Sequence, residues 1–159
     1  PIVVVVGARQ VGKSTLLQHE YGKKADYVVF DPVVDTENAR QDPELFLNNH
    51  KTPLILDDIQ YAPEVVAALK RRVDKIRSPG QYLLTGSQQW GVLKSMAESL
   101  AGRAVFLDLE GFSIAEILET TDKIPWLEHF IKNPKEIPKV NRRALPFFLS
   151  EQLYRGFFS

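Results

Sequence analysis

A chain of 159 residues holds about one domain's worth of core, enough to cover both faces of a single sheet. Its composition, 44% hydrophobic and 25% charged, is that of an ordinary globular protein and supports neither a disordered nor a membrane-embedded class. Lys plus Arg and Asp plus Glu both number 20, so the zero formal net charge leaves no electrostatic footprint for a polyanion.

Ile2 to Val6 is a run of β-branched residues ended by Gly7, the pattern of a strand buried on both faces of a parallel sheet. It is far shorter than the roughly 20 apolar residues of a spanning helix, and no charged-then-apolar leader precedes it. The chain enters this strand without a Met, so sequence upstream of Pro1 is expected. Cysteine is absent, which removes disulfides and thiol-metal sites and agrees with a reducing, cytoplasmic setting.

After the first strand, Ser14 to Tyr21 carries Leu16, Leu17 and Tyr21 at helical spacing, with Gly22 as the stop. Asp26 to Phe30 reads as a second strand, and Thr36 to Asn49, broken by Pro43, as two short helices. Pro53 to Leu56 is a third strand that delivers Asp57 and Asp58 to its end. Pro63 opens the clearest helix, with Val65, Val66, Leu69, Val73 and Ile76 on one face until Pro79 and Gly80. Gln81 to Thr85 is a fourth strand, Val92 to Leu100 a helix and Ala104 to Leu109 a fifth strand. Strands alternating with helices predict a three-layer α/β fold with a mostly parallel five-stranded sheet.

Residues 1–118 are expected to form this domain. Residues 119–159, broken by Pro125, Pro134, Pro138 and Pro146, read as an irregular and helical extension leading toward a second domain. Phe112 to Leu118 reads as a short helix, and Phe147, Phe148, Leu149, Leu153, Tyr154, Phe157 and Phe158 as an apolar final one.

The segment Gly7-Ala8-Arg9-Gln10-Val11-Gly12-Lys13-Ser14, followed by Thr15, has the Walker A spacing of a phosphate-binding loop. Chance produces it in ~0.5% of chains this long, and a strand before it and a helix after it tighten the match. Such a loop meets a polyphosphate with inward backbone N–H groups, the positive end of the next helix and the Lys13 charge. Ser14 supplies a hydroxyl where Mg²⁺ bridging the outer phosphates needs a ligand.

Leu54-Ile55-Leu56-Asp57-Asp58 has the Walker B pattern, with Asp57 for the metal and Asp58 to orient and polarise the attacking water. Thr85, Ser87 and Gln88 follow the fourth strand, and Ser87 is the candidate γ-phosphate contact. Arg103 is a candidate for charge stabilisation in its own site or a neighbour's. His19, His50 and His129 lack carboxylate partners at metal-ligand spacing, and Lys70-Arg71-Arg72 reads as a solvated face. Trp90 and Trp126 are expected in packing rather than on a base.

With these motifs placed, the chain resembles a family of prokaryotic and archaeal AAA-type ATPases whose nucleotide domain is usually followed by a domain of unknown function. The resemblance rests on Gly7 to Leu16, Asp57-Asp58-Ile59-Gln60, Leu84-Thr85-Gly86-Ser87 and Ser99-Leu100-Ala101-Gly102-Arg103, in that order. It covers about residues 2 to 118 and implies the strand order 5-1-4-3-2, ATP as ligand and an attached domain or protein partner; a homo-oligomer is compatible with the sequence and not implied by it. Where that family usually has Glu after the Walker B aspartate, Asp58 is one methylene shorter, and misplacement near 1 Å can cost ~100-fold in rate. A switch or motor ATPase, a non-catalytic nucleotide-binding module and a small-molecule kinase all fit the phosphate loop. Acceptor-dependent ADP production distinguishes the kinase, and tight ATP binding without turnover the passive module.

Overall fold

The computed structural model describes residues 1–31, 36–87, 90–117, 128 and 131–132. Contacts divide the chain into two compact units, Pro1–Glu110 and Gly111–Ser159. The first unit runs β1 (Ile2–Gly7), α1 (Lys13–Tyr21), β2 (Asp26–Val29), α2 (Thr36–Gln41), α3 (Pro43–Asn48), β3 (Leu54–Asp57), α4 (Pro63–Lys75), β4 (Tyr82–Ser87), α5 (Trp90–Ser99) and β5 (Ala104–Asp108). In the second, α6 (Ile114–Ile117) is closed by a reciprocal cap: Ser113 N–H donates to Glu116 Oε2 at 2.7 Å, and Glu116 N–H to Ser113 Oγ at 3.2 Å.

The five strands pair in the order β2-β3-β4-β1-β5, all parallel. This is the predicted order. β1 lies inside, bonded to β4 and β5, so its β-branched run is buried on both faces. Ile2, Val4 and Val6 face one core with Leu54, Leu56, Tyr82 and Leu84, closed by Leu47 of α3, Met96 of α5 and Val65, Leu69 and Val73 of α4. Val5, Ile55 and Leu83 face the other, smaller core, which Leu17 of α1 closes.

α4 anchors the larger core. Pro63 occupies its first turn, and Val65, Val66, Ala68, Leu69 and Val73 are buried along one stripe. Each buried Val or Leu contributes roughly 2 kcal/mol before chain entropy is counted. Ile76 departs from the expectation: the helix ends at Lys75, and Ile76 lies in extended backbone with 65% of its surface exposed. Leu16 and Tyr21 likewise stay largely exposed on α1, where only Lys13 and Leu17 are buried.

The basic run on α4 is more engaged than a solvated face. Arg71 and Arg72 both reach Glu44 of α3, and Arg72 Nη2 also donates to the Glu44 carbonyl at 2.8 Å and to Asn48 Oδ1. The pair clamps α3 onto α4. The apolar final helix, Trp126, His129 and Gln88 lie outside the described residues.

Candidate functional site

In a parallel sheet all strand ends of one kind lie on one rim, and here Gly7, Asp57 and Ser87 end β1, β3 and β4 together. Because side chains alternate across a strand, Asp57 shares a face with Ile55, and Thr85 shares it with Leu83 and Val5. That is the face α1 covers. The Asp57 carboxylate, Thr85 of β4 and the first turn of α1 therefore converge by geometry alone.

The loop between β1 and α1 turns through three positive-φ residues: Gly7 at 156°, Gln10 at 64° and Gly12 at 92°. A Cβ on Gly7 would sit 2.2 Å from the Leu109 carbonyl oxygen, so the close approach of β1 to the end of β5 admits only glycine. Ala8, Arg9 and Gln10 are exposed at the tip, Val11 is buried beneath them, and Thr15 is exposed on α1. No acidic side chain occupies the first turn of α1, so nothing there offsets its positive end.

Lys13 is buried to 8% exposure and curls back under the loop, donating from Nζ to the Gly7 carbonyl at 3.1 Å and the Ala8 carbonyl at 2.6 Å. Burial pulls its pKa below the ordinary lysine value; Asp58 and then Asp57 oppose the shift, and Arg9 adds to it.

Asp57 is 4% exposed yet fully engaged. Its Oδ1 accepts from Ser14 Oγ at 2.9 Å and from Thr85 Oγ1, and its Oδ2 accepts from the Tyr27 hydroxyl. Burial first, and then the Asp57 charge and hydrogen bond, push the Tyr27 phenol up to about 12 against weaker hydrogen bonds to Gln18 and Ser14. Asp58 occupies the left-handed region at φ 57° and ψ 46°. Its N–H donates to Thr85 Oγ1 at 2.9 Å, and its Oδ1 accepts from Gln60 Nε2 at 2.9 Å.

The Ser14 hydroxyl and the Asp57 carboxylate are hard oxygen donors within hydrogen-bond distance of each other at the mouth of the loop, a donor set that fits Mg²⁺. Among the described residues no group of three or more His, Asp or Glu side chains could hold a metal on its own. His19 and His50 do have carboxylate neighbours, Glu20 at 3.1 Å and Asp26 at 3.8 Å, one carboxylate each.

Of the residues singled out from sequence, Gly7 to Ser14, Asp57, Asp58 and Thr85 come together. β4 carries Ser87 to the same rim, where only its backbone is described. Arg103 does not join them. It precedes β5, its carbonyl accepts from Ile2 N–H at the start of β1, and its guanidinium grips Asp74 of α4 at 2.7 and 2.9 Å. The length of β1, about 16 Å, separates it from the loop. Tyr27 was missed because it belongs to no motif. Gln60 entered only through the family resemblance, as the residue three after Asp57.

A family model described as an AAA domain matches residues 1–118. Two curated relatives, uncharacterized proteins of Mycobacterium bovis and Mycobacterium tuberculosis, are each 32% identical over 130 residues. That alignment takes in 80% of this chain and 29% of either relative, so the chain spans less than a third of their length. No helix among the described residues is long and apolar enough to cross a membrane.

Proposed function

As this chain belongs to the AAA-domain family, we propose that it binds Mg²⁺–ATP at Gly7 to Thr15 and hydrolyses it as a switch or motor module. The observation that carries the reading is the Ser14–Asp57 hydrogen bond, which joins the phosphate loop to the Walker B strand at 2.9 Å. Backbone N–H groups of the loop and the positive end of α1 would receive the β- and γ-phosphates, with Lys13 leaving its carbonyl partners to meet them. Ser14 and Asp57 would hold Mg²⁺, which neutralises charge on the outer phosphates when bound.

Asp58 would orient the attacking water. Thr85 and Gln60 fix its backbone and carboxylate, so the group is positioned before substrate arrives. Ser87, at the same rim, would contact the γ-phosphate. Arg103, held by Asp74 across the sheet, has no part at the chain's own site in this reading. Loss of the γ-phosphate would release the segments following β3 and β4, and the greater length of the relatives supports an attached domain as receiver of that change.

Phosphate release from Mg²⁺–ATP by the wild type, Lys13→Ala and Asp58→Glu tests the proposal. Release that vanishes in Lys13→Ala is expected, and a faster Asp58→Glu would identify the short carboxylate as limiting. ATP bound without release by any of the three would leave the non-catalytic nucleotide-binding module in its place.

A further inference from the structure

Tyr27 sits on the outermost strand, yet it bonds the carboxylate at the centre of the site. The register explains how. β2 pairs with β3 so that Tyr27 lies opposite Ile55 and Val29 opposite Asp57. All four side chains share the α1 face, because residues two apart on a strand project the same way. The residue directly opposite Asp57 is thus Val29, which has no donor. The diagonal neighbour, about 7–8 Å away, is within reach of a phenol, and Tyr27 takes that path. Its ring packs beside the smaller core of Val5, Leu17, Ile55 and Leu83 while its hydroxyl meets Asp57 Oδ2.

The two oxygens of Asp57 are therefore divided. Ser14 and Thr85 both use Oδ1, and Tyr27 alone among the described residues is given to Oδ2. A carboxylate turns easily about its terminal bond, since sp³–sp² torsions are broad. A donor on Oδ2 from one side, opposed by donors on Oδ1 from the other, removes that freedom. We propose that Tyr27 is a positioning residue for the divalent cation: by holding Oδ2 it keeps Oδ1 turned toward Ser14, so the two candidate ligands are presented together. The inference rests on the nucleotide reading above and concerns how this chain's own side chains prepare the site.

Tyr27→Phe tests it, since the substitution keeps the ring in its core and removes only the hydroxyl. ATP binding is measured by calorimetry on the full chain, first in EDTA and then across a Mg²⁺ titration, beside thermal unfolding of both proteins. Affinity in EDTA should be unchanged, while the Mg²⁺ concentration for half-maximal enhancement rises about tenfold, the effect typical of losing a group that orients a metal ligand. Superimposable Mg²⁺ titrations would overturn the assignment, as would an equal loss of affinity with and without the cation, which marks a general structural role. A wild type that binds no ATP under either condition would overturn the nucleotide reading and this inference with it. A wild type that responds to Mg²⁺ beside an unaltered variant would overturn only the role of Tyr27.

Discussion

Thr85 Oγ1 accepts the backbone N–H of Asp58 at 2.9 Å, so a side chain from β4 holds the residue after β3 in a left-handed conformation. Thr85 is completely buried, and the same hydroxyl donates to Asp57 Oδ1. One group thereby fixes both acidic residues. Thr85→Val preserves shape and deletes both bonds, leaving a buried N–H without a partner. We expect a loss of about 1–3 kcal/mol in urea unfolding, with Thr85→Ser close to wild type. Equal stability of all three would show that the bridge is incidental.

Two glycines with positive φ should respond differently to alanine. At Gly7 the added Cβ meets the Leu109 carbonyl oxygen at 2.2 Å, whereas at Gly80 nothing lies within 4 Å. Gly7→Ala should cost about 3 kcal/mol and displace the loop, abolishing ATP binding. Gly80→Ala should cost only the left-handed penalty, about 1–2 kcal/mol, and bind ATP normally. Thermal unfolding and calorimetry on the two variants check this, and similar losses in both would contradict it.

The parallel sheet was legible in sequence because β1, β3 and β4 carry apolar runs that a two-sided sheet buries, while their order followed from the family resemblance. The tight turn from Gly7 to Gly12 was legible because two glycines with four residues between them, just ahead of a helix, signal it locally, and the structure gives both of them positive φ. What escaped depends on register and reach. Tyr27 and Asp57 are 30 positions apart and meet only because β2 and β3 align Val29 with Asp57. Arg103 looked free to meet a phosphate because its partner Asp74 lies on another element, at the far end of the strands. Ile76 fitted the α4 periodicity, but the helix stopped one residue short of it.

The clamp between α3 and α4 predicts an acid sensitivity. Hydrogen bonding to Arg72 holds the Glu44 carboxyl below its usual 4.5, with Arg71 assisting and burial opposing. A carboxylate depressed in the folded state stabilises fully above its unfolded pKa, and that contribution disappears as pH falls through the folded value. The difference in unfolding free energy between wild type and Glu44→Gln should be constant above about pH 5 and shrink below 4.5. A difference that persists unchanged at pH 3 would contradict the ion-pair account.

Asp58→Asn separates binding from chemistry. Asn tolerates the left-handed region as Asp does, so the backbone should stay as it is. If the Asp58 charge polarises water as proposed, its loss should lower steady-state hydrolysis about 100-fold or more while ATP affinity changes little. Hydrolysis at the wild-type rate would remove Asp58 from its role.

Whether the loop from Gly7 to Thr15 receives a nucleoside triphosphate is decided by equilibrium binding of ATP to the wild type and to Lys13→Ala. Saturable one-to-one binding, strengthened by Mg²⁺ and weakened at least tenfold in the variant, is the result expected. Wild-type protein that stays folded through the titration and shows no binding would contradict the account.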